Sequence, residues 1–310
     1  MRFCTVMMLL LSWGSLSAVS ATVPRSPYRI GVLYWSMNIP GQVAMRRGLE
    51  REAGKINRAP APGPGVELIV RVAGDGIAGI ERQIGQMNEL IDLKVDMIIV
   101  QPSDNAALSL PLRKANRKNI PVIAYDQYIC DGDLASYVTT DNYLAGYLGG
   151  EYLASLFPPE KVLNIAMVEY PHVSSTVERV DGFRDALRDR RRQYLIRHEY
   201  QAIEPVRGKL VGQQILRDFP DPGSLDVVFT VNDGGGLAIF EILARAGRRE
   251  IAGITIDGDP RSVEIIRAGG IIKNDSAQFC GMLGAVALRT GYDYLNGKDT
   301  PHQILIPPFP

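Results

Sequence analysis

The stretch Val95-Asp-Met-Ile-Ile-Val100 decides the fold, because it is an apolar run without the polar alternation of a sheet that faces water on one side. A second run of this kind, Val227-Val-Phe-Thr-Val231, lies far along the chain. Strands that read in this way are buried on both faces, as in parallel sheets covered by helices. The two runs therefore predict an α/β protein.

On both sides of these runs, short β-rich segments alternate with longer segments whose apolar residues recur at the spacing of a helix. The predicted strands are Tyr28–Trp35, Val66–Ala73, Asp96–Gln101, Pro121–Asp126, Ser136–Thr140, Leu163–Tyr170, Tyr194–Tyr200, Asp226–Asn232, Gly253–Asp257 and Ile271–Asp275. Repeated strand–helix units imply right-handed crossovers and doubly wound sheets. Because one twisted open sheet rarely exceeds about ten strands, we expect two lobes, divided near Thr140, with a cleft between them.

The composition excludes several classes of protein. The chain has 310 residues, of which 46% are hydrophobic and 22% charged, as in ordinary globular proteins. Lys plus Arg and Asp plus Glu each number 34, so the net charge is zero and the basic surface of a nucleic-acid binder is not expected. Three scattered histidines are too few for a His-rich metal site, and we expect no metal.

The first residues predict an export signal over residues 1–21. An apolar run from Phe3 to Trp13 is followed by small residues that end Ala18-Val-Ser-Ala21, which fits cleavage after Ala21. The run is shorter than the ~20 apolar residues of a membrane anchor, although a retained anchor is the alternative. Export permits a disulfide between Cys130 and Cys280, and two free thiols are the other possibility.

The segment Gly74-Asp-Gly-Ile-Ala-Gly79 matches the dinucleotide-binding fingerprint, with Asp96 downstream. It follows the second strand rather than the first, and an exported protein would meet little NAD. We interpret the segment as a polar turn that uses the conformational freedom of glycine, and we expect no cofactor. Asp126, Asp141 and Asp257 could pair as acid and base, but no histidine or activated nucleophile accompanies them. Enzyme activity is therefore not supported.

Polar residues follow several predicted strands, where open α/β sheets bind their ligands. They are Trp35 and Ser36, Asp126 and Gln127, Asn232, and Asp257. Carboxylates and amides in such a cleft suit a small polyhydroxylated ligand, because every hydroxyl can be paired. Each residue taken alone is equally an ordinary helix cap.

With these residues the chain resembles the periplasmic sugar-binding proteins of ABC transporters, the ribose-binding branch especially. The resemblance runs from Tyr28 to Ile306, and the segments that carry it are Val95–Pro102, Pro121–Asp126, Thr140–Gly146, Glu178–Phe183, Val228–Asp233 and Ile256–Gly258. It implies a type I periplasmic binding protein, with two Rossmann-like lobes joined by a hinge. The first lobe would comprise residues 24–140 plus 279–303, and the second residues 141–278 plus 304–310.

The resemblance also implies roles for individual residues. Asp126 matches an aspartate that bonds sugar hydroxyls from the first lobe, and Arg179 matches an arginine that reaches the ligand from the second. Asn232 and Asp257 match an amide and a carboxylate at strand ends of the second lobe, and Gln278 matches a glutamine where the chain recrosses.

The sequence departs from the family's pattern at two places. Gly41 and Gln42 stand where aromatic side chains commonly stack on the sugar, so Trp35 or Tyr34 would have to supply that surface. Gln127 stands where the ribose-binding branch has a second arginine. A pentose other than ribose, a hexose, a polyol or a furanosyl autoinducer would be compatible with these changes.

The resemblance implies a monomeric periplasmic receptor that captures a sugar-like solute by hinge closure and delivers it to an ABC-transporter permease. The alternative is a ligand sensor that acts on a sensor kinase or a chemoreceptor, and an exported enzyme is a third possibility. DNA-binding relatives share the two-lobe core but carry an N-terminal helix-turn-helix. Since an export signal occupies that place here, we expect no nucleic-acid partner.

Overall fold

The computed structural model describes residues 26–59 and 63–309, so the predicted export signal lies outside the described residues. Strands β1–β11 span Tyr28–Tyr34, Val66–Val72, Met97–Val100, Val122–Tyr125, Ser136–Thr140, Leu163–Glu169, Tyr194–Gln201, Val227–Thr230, Ala252–Asp257, Ile272–Ala277 and Gln303–Ile306. Helices α1–α9 span Pro40–Arg58, Gly76–Asp92, Ser109–Arg117, Asn142–Leu156, Ser174–Asp189, Pro205–Asp218, Asp233–Arg245, Pro260–Arg267 and Cys280–Leu295. Within the described ranges, no helix combines the length and the apolar character needed to cross a bilayer.

The strands form two parallel sheets, which confirms the predicted α/β architecture. The first sheet has six strands in the order β11-β5-β4-β3-β1-β2, and the second has five in the order β10-β9-β8-β6-β7. The two apolar runs become β3 and β8, which lie inside their sheets with every residue buried. Helices cover both faces of such strands, and this burial explains the continuous apolar pattern.

The chain passes between the two sheets at three places. After β5 it enters α4, which packs against β9 and β10, and after β10 it enters α9, which packs against β3, β4 and β5. Strand β11 pairs with β5 in the first sheet, and Phe309 then forms a bridge with Ala277. The expectation that the second lobe takes up residues 304–310 is therefore wrong for residues 304–306, because β11 extends the edge of the first sheet.

The two cysteines in the described ranges are free thiols. Cys130 lies in the loop after β4, where its N–H donates to the Asn105 carbonyl at 2.8 Å. Cys280 begins α9 and is buried against the first turn of α1, 3.2 Å from the position that a Cβ on Gly41 would take. Of the two possibilities that the sequence left open, the structure shows the free thiols.

Helices α1 and α9 approach closely enough to need glycine at their contact. A Cβ on Gly284 would lie 1.9 Å from the Met45 carbonyl oxygen, and one on Gly48 would lie 1.9 Å from that of Gly281. The same closeness joins α4 to α5, where a Cβ on Gly146 would lie 1.9 Å from the Arg179 carbonyl oxygen. The absence of side chains at these points lets each helix pair hold its position in the lobe.

We predict that Gly284→Ala lowers the free energy of unfolding by about 1–3 kcal/mol, since backbone must move to admit the methyl group. Gly85→Ala is the matched control, because a Cβ there meets nothing within 4 Å and α2 is exposed at that point. It should be neutral or raise stability by about 0.5–1 kcal/mol. Urea unfolding measures both, and equal effects of the two substitutions would contradict the close packing.

Candidate functional site

Arg179 on α5 is a buried cation, with 2% of its surface exposed. Its Nε donates to Asn142 Oδ1 at 2.9 Å, and its Nη1 donates to the Val231 carbonyl oxygen at 2.7 Å and to Asp257 Oδ1 at 3.2 Å. A guanidinium withdrawn from water is stable only when acceptors replace its hydration. These contacts come from α4 and from the ends of β8 and β9. They therefore hold Arg179 in place where the second lobe borders the cleft.

Asp257 ends β9 and lies beside this guanidinium. Its Oδ1 also accepts a hydrogen bond from Gln278 Nε2 at 2.5 Å, while Gln278 Oε1 accepts one from Thr140 Oγ1 at 3.0 Å. Burial raises the pKa of Asp257 to about 7, and the positive charge of Arg179 opposes that rise. Because Thr140 and Gln278 stand where the chain crosses between the sheets, this network joins the carboxyl group to the hinge.

Asp126 supplies a carboxyl group from the first lobe, at the end of β4. Its Oδ2 accepts hydrogen bonds from Gln101 Nε2 at 2.9 Å and from Gln127 Nε2 at 2.8 Å. Burial raises the pKa of Asp126, and the Arg179 charge opposes this. Asp126 has φ +67° and Asp257 has φ +138°, a region that favours glycine. Strain of this kind is typical of functional sites, where the surrounding structure holds a side chain in place.

Gln127 connects the two lobes. Its Nε2 lies 3.2 Å from Ser175 Oγ on α5, and the neighbouring Tyr128 N–H donates to Ser174 Oγ at 3.3 Å. Its Oε1 is buried without a hydrogen-bond partner among the described residues. A buried acceptor of this kind costs free energy unless a donor pairs with it, so it can receive a ligand hydroxyl.

A cavity of about 20 Å³ lies between the lobes and brings most of the predicted site together. Seven of the eight predicted residues line it: Trp35, Asp126, Gln127, Arg179, Asn232, Asp257 and Gln278. This volume is about that of one water molecule, so the lobes must separate to admit a small-molecule ligand. Polar groups from both sheets therefore face one small space.

Trp35 forms one apolar wall of this cavity and is 2% exposed. Its carbonyl oxygen accepts a hydrogen bond from Gly74 N–H at 2.7 Å. Gly74 and Gly76 have φ of +88° and +67°, so the dinucleotide-like segment begins as the predicted glycine turn, which supports Trp35, and continues as the first turn of α2. Tyr34 packs in the core of the first lobe, which leaves Trp35 as the aromatic side chain at the cavity.

Two predicted residues have structural roles that their hydrogen bonds explain. Ser36 is fully buried and does not line the cavity; its N–H donates to Gln42 Oε1 at 2.9 Å, and its Oγ accepts from Asn38 N–H at 3.0 Å. Asn232 lines the cavity but caps α7, with Oδ1 accepting from Gly235 N–H at 3.1 Å. Its Nδ2 donates to the Ile203 carbonyl oxygen at 3.0 Å. Ser36 therefore shapes a turn, and Asn232 combines a cap with a place on the wall.

The predicted site residues make up half of the cavity lining. Gly41 and Gln42, which the sequence analysis placed where the family's aromatic side chains stack, also line the cavity, and the residues that sequence reasoning missed are Ile39, Met45, Ser175, Thr176 and Ile203. Ser175 and Thr176 stand in the first turn of α5, and the rule that helix N-termini face the crevice could have identified them. The apolar residues carry no local signal, because their place depends on how the two lobes meet.

A second pair of buried carboxyl groups lies behind Asp257. Asp233 Oδ1 accepts from Thr255 Oγ1 at 2.9 Å and from Ser262 Oγ at 2.7 Å, and Asp275 Oδ1 accepts from Gly258 N–H at 2.9 Å. Burial raises the pKa of both groups, that of Asp275 to about 6, and the charge of Asp275 raises the pKa of Asp233 further. The described residues contain no group of three or more His, Cys, Asp or Glu placed to hold a metal ion.

Comparisons with known proteins agree with this geometry. The family described as periplasmic binding protein domain matches residues 30–299. The ribose import binding protein of Escherichia coli is 25% identical over 284 residues, covering 91% of this chain and 90% of that protein. The sequence-based family resemblance is thereby confirmed.

Two solved structures have the same fold. The Caulobacter myo-inositol binding protein bound to myo-inositol is 25% identical, with a TM-score of 0.79, and the match covers 93% of this chain and 94% of that one. An ABC-transporter periplasmic solute-binding protein of Actinobacillus succinogenes with bound D-allose is 25% identical, with a TM-score of 0.75, and covers 91% and 96%. These matches extend over both lobes.

The raised pKa of Asp257 predicts how stability depends on pH. The folded protein holds this proton more tightly than the unfolded chain, since the pKa rises from 3.8 to about 7. The resulting stabilisation is complete below about pH 4 and is lost as the pH rises through 7. We therefore expect the free energy of unfolding to fall more steeply between pH 4 and 7 in the wild type than in Asp257→Asn.

Urea unfolding at a series of pH values measures this difference. Asp92→Asn is the control, because the Asp92 side chain is 71% exposed, and its curve should run parallel to that of the wild type. If the curves of Asp257→Asn and the wild type run parallel, the raised pKa of the buried Asp257 carboxyl group is contradicted.

Proposed function

The chain belongs to the periplasmic binding protein domain family, and we propose that it is a periplasmic receptor that captures a neutral sugar or polyol between its lobes. In this proposal the closed protein delivers the solute to the permease of an ABC transporter. The single observation that carries it is the convergence of Asp126 from the first sheet with Arg179 and Asp257 from the second on one small cavity.

The chemistry of the cavity supports a neutral polyhydroxylated ligand. Arg179 faces the carboxyl groups of Asp257 and Asp126, so its charge is already compensated. A charged ligand would bury a further charge without a partner, at a high cost in free energy. Hydroxyl groups can both donate to the carboxylates and accept from the guanidinium and amides. Ribose, myo-inositol and D-allose, named with the relatives, are all neutral and polyhydroxylated.

Contacts from both lobes supply the driving force for closure. A ligand that bonds to Asp126 in one lobe and to Arg179 in the other gains its full set of contacts only when the cleft is closed. It therefore shifts the population toward the closed form. In that form both lobes present a fixed joint surface that a membrane partner can recognise.

The predicted segment 1–21 supplies export in this proposal, with cleavage after Ala21. The relative named for ribose import supports transport over the sensing role. The receptor binds its ligand without chemical change, so bound sugar should be recovered intact by mass spectrometry.

A thermal-shift screen identifies the ligand. The protein is partly unfolded and refolded to remove carried-over ligand, then tested with pentoses, hexoses, inositols and furanosyl compounds. A ligand with micromolar affinity at millimolar concentration should stabilise the folded protein by about 4 kcal/mol. A stabilising sugar or polyol supports the proposal, and a folded protein that responds to none of these compounds contradicts it.

We predict that Arg179→Ala weakens binding of the identified ligand roughly ten- to a hundredfold, since charge-assisted hydrogen bonds are lost. Arg179→Lys should fall between the wild type and Arg179→Ala, because it keeps the charge but not the planar fork. Arg184→Ala is the control on the same helix, as the Arg184 side chain is 38% exposed and pairs with Glu199. Isothermal titration measures the affinities, and unchanged binding by Arg179→Ala would remove this residue from the site.

A further inference from the structure

An aromatic contact crosses the cleft at the edge of the cavity. Trp35 of the first lobe and Tyr170, in the loop after β6 of the second, have ring centroids 6.0 Å apart at an interplanar angle of 33°. Trp35 lines both the ligand cavity and an outer cavity of about 380 Å³ that Tyr170 also lines. Trp35 therefore stands between the ligand cavity and this outer cavity.

Apolar side chains from both lobes surround this contact. Ile39 of the first lobe packs with Val173 and Ile203 of the second, and with Trp35 they form one buried cluster against which Tyr170 is half-buried. Ile39 is 2% exposed and Val173 is fully buried, and Ile203 lines both cavities. Separation of the lobes would return this apolar surface to water, so the cluster favours the closed arrangement.

The loop that carries Tyr170 is held in place on both of its sides. Thr176 Oγ1 donates to the Tyr170 carbonyl oxygen and lies 3.0 Å from that of Val173, which ties the loop to the first turn of α5. The His172 carbonyl oxygen accepts a hydrogen bond from the Asn105 N–H of the first lobe at 3.1 Å. The backbone that carries Tyr170 is therefore fixed, and it holds the Tyr170 ring against Trp35.

We propose that Tyr170 is a positioning residue that packs against Trp35 across the cleft, and we call this Trp35–Tyr170 contact the clasp. The clasp holds the Trp35 ring as the wall of the ligand cavity and slows the release of the bound solute. Because the lobes must separate before a bound solute can leave, the clasp acts on the dissociation rate. The inference deepens the proposed function and rests on it for the presence of a ligand between the lobes.

Tryptophan fluorescence tests the clasp directly. The chain contains two tryptophans, Trp13 and Trp35, and Trp13 lies in the segment 1–21 that is cleaved in the proposed function, so all tryptophan emission of the mature protein comes from Trp35. Tyr170→Ala should increase acrylamide quenching of this emission and raise the dissociation rate of the sugar found in the screen roughly tenfold. Tyr170→Phe keeps the ring and should match the parent in both measurements.

Tyr152→Ala is the matched control, because Tyr152 is an exposed tyrosine on α4 of the same lobe. If Tyr170→Ala and Tyr152→Ala show the same quenching and the same dissociation rate, the inference is overturned. Should Tyr170→Ala fail to fold, Tyr170→Leu, which keeps an apolar side chain without a ring, carries the same comparison.

The two proposals fail in different ways. A sugar that binds with identical dissociation rates in the parent and Tyr170→Ala leaves the receptor function standing and overturns the clasp. A screen without any sugar or polyol that binds overturns the receptor function. The clasp is then judged by quenching of the free protein, where equal values for Tyr170→Ala and Tyr152→Ala overturn it.

Discussion

The buried guanidinium of Arg179 is the constraint on which the site depends. A cation whose surface is 2% exposed has lost its hydration. Hydrogen-bond acceptors in fixed positions must compensate for the free energy of that hydration. Those acceptors are Asn142, the Val231 carbonyl oxygen and Asp257, which come from three separate elements. The close glycine contact between α4 and α5 brings Arg179 within reach of Asn142. The positions of these groups therefore follow from the need to compensate the charge of Arg179.

From this charge the network reaches the hinge and the first lobe. Asp257 links Arg179 to Gln278 and onward to Thr140, where the chain crosses between the sheets. Asp126 faces the same charge from the other lobe, and its raised pKa reflects burial that the Arg179 charge only partly offsets. A neutral ligand with many hydroxyls can satisfy these groups without adding charge, which explains why the arrangement suits a sugar. Closure and recognition thus depend on the same side chains.

The sequence predicted those features that have a local or topological signature. Strands β3 and β8 were predictable because burial on both faces leaves a continuous apolar run. The place of Asp126 and Asp257 at the cavity was predictable because both residues stand at the ends of parallel strands. Strand β11 was missed, since a short edge strand is defined by its pairing with β5. Ser36 was misplaced because the course of its turn decides where its side chain points. Ile203 and Tyr170 gave no signal, as their positions arise only where the lobes meet.

The most direct test of capture between the lobes is small-angle X-ray scattering of the protein with and without its sugar. If the ligand is held by groups from both lobes, the radius of gyration should decrease on binding, and Arg179→Ala should show no decrease at the same sugar concentration. A sugar that binds the wild type tightly while its scattering profile stays that of an open protein would contradict closure around the Arg179 network.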